Sequence, residues 1–128
     1  DGLNADKELG GSVNISGGSV FISSGNDAID ASGGVLSISG GSLLALGKDK
    51  DIKAAVEASI PCYAGSLKLA EGETLELRRA SGESLTSQSA WEIKTAYIAL
   101  AAASDGEELE LFIGSGEERE SRGSITLD

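Results

Sequence analysis

Val13 to Ser23 reads V-N-I-S-G-G-S-V-F-I-S, and Leu36 to Leu46 reads L-S-I-S-G-G-S-L-L-A-L. The copies lie 23 residues apart, so Ile15 answers to Ile38, Gly17-Gly18 to Gly40-Gly41 and Val20 to Leu43. A second element travels with the first: D-G-L-N-A at Asp1–Ala5, D-A-I-D-A at Asp27–Ala31, and a faded K-D-I-K-A at Lys50–Ala54. A fixed period in the twenties is the mark of a chain wound into stacked coils. Within each coil three short segments alternate apolar and polar. Leu3 and Ala5, Val13 and Ile15, and Val20 and Ile22 share one side of the first coil. Ile29 and Ala31, Leu36 and Ile38, and Leu43 and Ala45 do so in the second. Alternate residues of a strand face opposite ways, so six side chains per coil point to a common interior. The Gly-Gly pairs between segments suit tight corners. One coil cannot bury its own apolar face, whereas a stack about 4.8 Å apart per rung can.

This pattern predicts an all-β chain: a parallel β-helix represented by its last two to three coils, with a C-terminal antiparallel β cap. A leucine-rich repeat lacks its leucine ladder here. The calcium-binding nonapeptide roll lacks the aspartate that should follow each GG pair, and a helical solenoid conflicts with the glycines. The third coil is the weakest; K-D-K-D-I-K-A-A-V-E-A has enough alanine to form a short closing helix instead. We place the coils at 1–56 and the cap at 57–128. In the cap, Ser66–Leu69, Thr74–Arg78, Ala90–Lys94, Tyr97–Ala101, Glu108–Ile113 and Ser124–Leu127 are the expected strands, separated by short glycine-bearing turns. An uncapped stack leaves open strand edges that invite aggregation, which gives the second half its structural purpose.

Composition narrows the function. The 128 residues fit one domain. With 10 basic and 21 acidic residues the net charge is −11, which argues against nucleic acid and anionic membranes and is compatible with divalent cations or neutral polymers. The lack of histidine removes the commonest general base and metal ligand. Cys62 is the single cysteine, so it has neither a disulfide partner nor a histidine to activate it. No apolar run approaches the roughly 18 residues of a membrane span. The chain starts inside a repeat, so preceding β-helix coils are an expected neighbour.

The combination D-G-L-N-A-D, V-N-I-S-G-G-S-V, G-N-D-A-I-D-A and L-S-I-S-G-G-S-L resembles the carbohydrate-binding right-handed β-helix family of bacterial surface and secreted proteins, which is related in shape to pectate lyases. Tyr97-Ile-Ala-Leu and the run from Asp105 to Gly114 look like that family's closing hairpin. The resemblance implies a right-handed helix and a non-catalytic, secreted or cell-surface protein that recognises a plant cell-wall polysaccharide, cellulose or pectic acid, with calcium as a structural or bridging ion. The other readings are a structural stalk or adhesin segment without a ligand, and a degenerate polysaccharide lyase.

Two sets of residues could carry such a function. Asp1 and Asn4 should stack over Asp27 and Asp30, with Asp6 and Asn26 nearby. Carboxylates one rung apart repel, and a calcium ion with oxygen ligands would reverse that. The resemblance places its calcium sites at this corner; Lys50 and Lys53 on the next rung are the competing means of neutralising it. The second set is apolar. Phe21 and Leu44 should point outward, forming either a sugar platform or, as we favour, a stripe beneath the cap. Tyr63, Trp91 and Tyr97 are the other candidate sugar-stacking aromatics. Trp91 shares its alternation with Ile93, which favours a core role, and Tyr63 lies in an irregular link. For a lyase, Lys48, Lys50 and Lys53 are the available bases, but lysines among acids keep their protons. No catalytic residue is assigned.

Overall fold

A computed structural model describes residues 1–5 and 12–128. The fold is all-β, with no helix among the described residues. The described residues form ten strands: β1 (Leu3–Asn4), β2 (Val13–Ser24), β3 (Ile29–Gly47), β4 (Lys53–Ala58), β5 (Cys62–Leu69), β6 (Thr74–Arg78), β7 (Ser84–Gln88), β8 (Ile93–Leu100), β9 (Glu108–Ser115) and β10 (Glu118–Thr126). They form a mixed six-stranded sheet and an antiparallel four-stranded sheet, the latter in the order β10-β9-β6-β7.

The repeat governs the first sheet. Strand β2 lies parallel to β3 with Val13 opposite Leu36, Ile15 opposite Ile38, and Val20 opposite Leu43, each pair 23 residues apart. Strand β1 continues the ladder where Leu3 meets Ile29 and Asn4 meets Asp30. The side chains expected to point inward do so: Ile15, Ile29, Leu36, Ile38, Leu43 and Ala45 are buried in one cluster, with Leu3, Val13, Val20 and Ile22 packed on it.

The third rung differs from its expected helical alternative. Lys53–Ala58 is strand β4, parallel to β3, with Leu36 opposite Val56. A single helical turn or two has little stability of its own, whereas the free edge of β3 offers β4 a ready set of hydrogen-bond partners. The register also shortens here: Asp30 pairs with Lys53, but Val35 pairs with Ala55. Beyond β4 the parallel order ends. Strand β8 runs antiparallel along the far side of β3, from Ser42 opposite Leu100 to Gly47 opposite Thr95, and β5 pairs antiparallel with β8. The first sheet therefore crosses the boundary at residues 56 and 57 without a break in its hydrogen bonding.

The outward side of the same strands meets the second sheet. Leu44, Leu46, Leu67, Leu69, Ile93, Ile98 and Leu100 form a buried cluster with Leu75, Leu77, Leu109, Leu111, Ile113, Ile125 and Leu127. So β3 is apolar on both sides between Leu43 and Leu46, with its even and odd residues serving two cores. Thr74–Arg78 occurs as expected. Strand β7 was not foreseen, because S-L-T-S-Q carries a single apolar residue, the half-buried Leu85. The two expected strands at 90–94 and 97–101 are one strand, β8, and Ala90–Glu92 lie outside it.

Candidate functional site

The acidic corner forms where β1 docks on β3. Gly2 N–H donates to the Asp27 carbonyl and Leu3 N–H to the Ala28 carbonyl, both at 2.9 Å. This pairing brings one carboxylate oxygen from each of Asp1, Asp27 and Asp30 within 4.8 Å of one another. The burial is uneven: Asp27 is only 7% exposed, Asp30 half-buried and Asp1 exposed. Asp27 Oδ1 is fully enclosed and has no hydrogen-bond partner among the described residues. Burial, followed by the negative charges of Asp49 and Asp30, pushes the Asp27 carboxyl above its ordinary value, and Lys53 offsets this only in part. An ionised carboxylate in such a place costs several kcal/mol unless something positive meets it, and a proton or a metal ion would each serve. The donor set is all oxygen, which suits a hard divalent cation such as calcium.

The remaining expected ligands divide. Asn4 Nδ2 donates to Asp1 Oδ2 at 2.8 Å, so it orients a carboxylate. Asn26 is exposed, and its backbone carbonyl accepts from the N–H groups of Lys48 at 2.9 Å and Asp49 at 3.2 Å. Asp6 lies outside the described residues. Asp49 is the addition that sequence reading missed. It lies 23 residues after Asn26, so the same period that places Ile38 beside Ile15 could have found it. Tyr97 braces the corner: its hydroxyl accepts from Lys53 N–H at 3.2 Å and donates to the Ile29 carbonyl at 3.3 Å.

The apolar set also separates. Phe21 is opposite Leu44 as expected, but Leu44 is 1% exposed beneath the second sheet while Phe21 is 55% exposed. The stripe is thus covered at one end and open at the other. Tyr97 is buried in the inner core and presents no ring face to a ligand, so Leu44 and Tyr97 leave the candidate sugar surface. Tyr63 is half-buried against the outer core, its hydroxyl donating to the Ser66 carbonyl. Trp91 is not a core residue: it is 47% exposed. Its ring lies across Gly25, where a Cβ would meet indole carbons at 2.9–3.0 Å. Period-2 alternation misled because Ala90–Glu92 precede the strand rather than belong to it. Between the two open aromatics the Ser23 and Ser89 hydroxyls are 2.8 Å apart, and Ser89 Oγ donates to the Trp91 carbonyl. Phe21 and Ser23 share one side of β2 and Gly25 follows its end, so Phe21 and the Trp91 ring over Gly25 mark the two ends of a strip at most about 13 Å long.

In the second half of the chain several charged groups pair with each other. Glu76 takes Arg78 at 3.0 Å and Arg119 at 2.9 Å, and the Arg78 guanidinium lies 4.0 Å over the Phe112 ring. Burial and the Asp128 carboxylate push the Cys62 thiol up, away from the reactive thiolate. No helix of the described residues is long and apolar enough to cross a membrane. Comparison of the chain with protein-family models, with curated proteins and with solved structures found no match.

Proposed function

We propose that this chain is a non-catalytic carbohydrate-binding segment of a secreted or cell-surface bacterial protein, built as a right-handed parallel β-helix closed by an antiparallel cap. Its ligand is a plant cell-wall polysaccharide, cellulose or pectic acid. The observation that carries the reading is the corner at Asp27: an enclosed carboxylate oxygen without a partner among the described residues, with the Asp1 and Asp30 carboxylates converging on it. The residues that would hold a calcium ion are Asp1, Asp27 and Asp30, with Asp49 supporting their charge. Calcium takes six to eight oxygens, so three carboxylates leave coordination for water or for a polymer's own carboxylates. Asp1 is the open side of the corner, which makes a bridging role accessible. The strip from Phe21 to Trp91 supplies the other element of recognition: flat apolar faces at either end, with the exposed Ser23 hydroxyl between them to exchange a hydrogen bond with a sugar.

The test is retention on insoluble cellulose and on immobilised polygalacturonate, each with calcium and with chelator. Retention on polygalacturonate that chelator abolishes, and that Asp27→Asn reduces at least tenfold, supports the bridging ion. Loss of cellulose retention in Trp91→Ala supports the aromatic strip. Retention on neither polymer assigns the chain to a structural stalk, and release of an unsaturated uronide product assigns it to the lyases.

A further inference from the structure

The two copies of the S-G-G-S corner have the same residues and different surroundings. At Gly40 a Cβ would lie 2.5 Å from the Ser16 carbonyl oxygen, and at Gly41 one would lie 2.5 Å from the Gly18 carbonyl oxygen. Those glycines are required because a coil rests on them. At Gly17 a Cβ would meet nothing within 4 Å, and its φ is not in the left-handed region. Nothing near Gly17 among the described residues explains a glycine there.

The difference extends along the whole strand. Leu36, Leu43, Leu44 and Ala45 are buried, whereas their partners Val13, Val20 and Ile22 are half-buried and Phe21 is open. Strand β2 pairs with β3 on one side only, so among the described residues its other side offers unpaired backbone groups. Across twelve residues, V-N-I-S-G-G-S-V-F-I-S-S, this edge carries no charge and no proline. Protected edges use short strands, charges or proline. The other edges of the molecule follow that rule: β7 has five residues, and β10 carries Glu118, Arg119, Glu120 and Arg122.

We infer that the open edge of β2 is a stacking surface for one more coil of the same repeat, added parallel and in register, with its own glycine pair resting on Gly17-Gly18. The occupant is specified by the interface that already exists one rung below. The β2–β3 contact is what a strand of this pattern makes with its neighbour, and β2 presents the same pattern again on its free side. Backbone of the added rung would lie where a Cβ at Gly17 would otherwise project, as the Ser16 carbonyl does at Gly40. Without charges on the strand, an acidic chain meets no local repulsion there. The proposal stands on the observed rung pairing and is independent of whether any polysaccharide binds.

The experiment lengthens the chain by one coil. A copy of Ile29–Asp49 is fused directly ahead of Asp1, which puts the copied Leu46 four residues before Asp1, as Ser23 lies four before Asp27, and so lets the copied strand lie over β2 while β1 stays on β3. The extended chain should melt about 5 °C or more above the 128-residue chain. The outward N–H groups of β2 should become protected from hydrogen exchange, with the β3–β8 amides serving as the folding control. Gly17→Val should leave the melting temperature of the original chain within about 2 °C and abolish the gain in the extended one. An extended chain with no gain and an exchanging β2 overturns the inference. So does self-association of the original chain that Phe21→Lys dissolves, because the occupant would then be a second copy.

Discussion

The stacked rungs and the cap are both β-structure, yet particular glycines and charges serve them differently. At Gly40 in the rungs, glycine is needed for closeness: it has ordinary φ, and a methyl there would strike the Ser16 carbonyl. At the Gly82 turn of the cap it is needed for conformation: φ is 93° with open space around the absent side chain. Parallel rungs of one repeat bring identical corners into contact, while antiparallel hairpins send their turns out into water. Charge follows the same division. In the cap, Arg79 joins Glu107 at 2.7 Å and Glu83 at 3.3 Å, and Glu76 holds two arginines. The rungs instead superimpose aspartates, because a repeat copies its acids as faithfully as its core. Stacking is thus economical for apolar residues and costly for acidic ones, and the acidic corner is where a cation has something to offer.

The comparison can be broken most severely at Ile38, which is 2% exposed at the centre of the inner core. Ile38→Asp should abolish the fold, since an unpaired charge in a core costs about 3–5 kcal/mol; circular dichroism and a melt check it. Leu44→Ala comes next, because this side chain links the rungs to the second sheet. A loss of about 3 kcal/mol in denaturant unfolding is expected. If β9 and β6 amides kept full exchange protection while only the rungs weakened, the shared outer core would be disproved.

The two uses of glycine predict a graded pair. Gly40→Ala should cost about 2 kcal/mol, since the obstructing atoms are backbone and the rungs must separate. Gly82→Ala should cost about 1 kcal/mol, through strain at positive φ alone. A reversed order would show that the rungs are loosely packed. The smallest effect is electrostatic. The hydrogen bond from Arg79, and then one from Ser104 N–H, holds the Glu107 carboxyl below its ordinary value of 4.5. A carboxyl with a lowered folded pKa adds stability above its unfolded value and loses it as pH falls through the folded one. Glu107→Gln should therefore lower the melting temperature slightly at neutral pH and flatten its decline below pH 4.5, the two chains converging once the carboxyl is protonated. An unchanged acid limb would mean the pair contributes nothing.

How much was legible varies with the kind of signal. The partners of Ile15, Val20 and Leu3 could be read directly, since a repeat states its own register. Asp49 was equally within reach at the same spacing and was passed over because the third copy has drifted. Trp91 could not be placed, as alternation over three residues does not distinguish a strand from the bend before it. Strand β7 was hidden because an edge strand with one half-buried leucine needs no apolar pattern.

Sequence by itself determined the all-β character, the rung-on-rung pairing and the set of side chains facing the inner core. These follow from periodicity, and a period is a local property that survives without knowledge of the rest of the chain. Tertiary structure alone decided that β8 would close the ladder from the opposite direction, that Leu44 would be covered while Phe21 stayed open, and that one Asp27 carboxylate oxygen would be enclosed without a partner among the described residues. Each of those depends on which distant segment arrives at a given surface, and no spacing within the chain encodes that meeting.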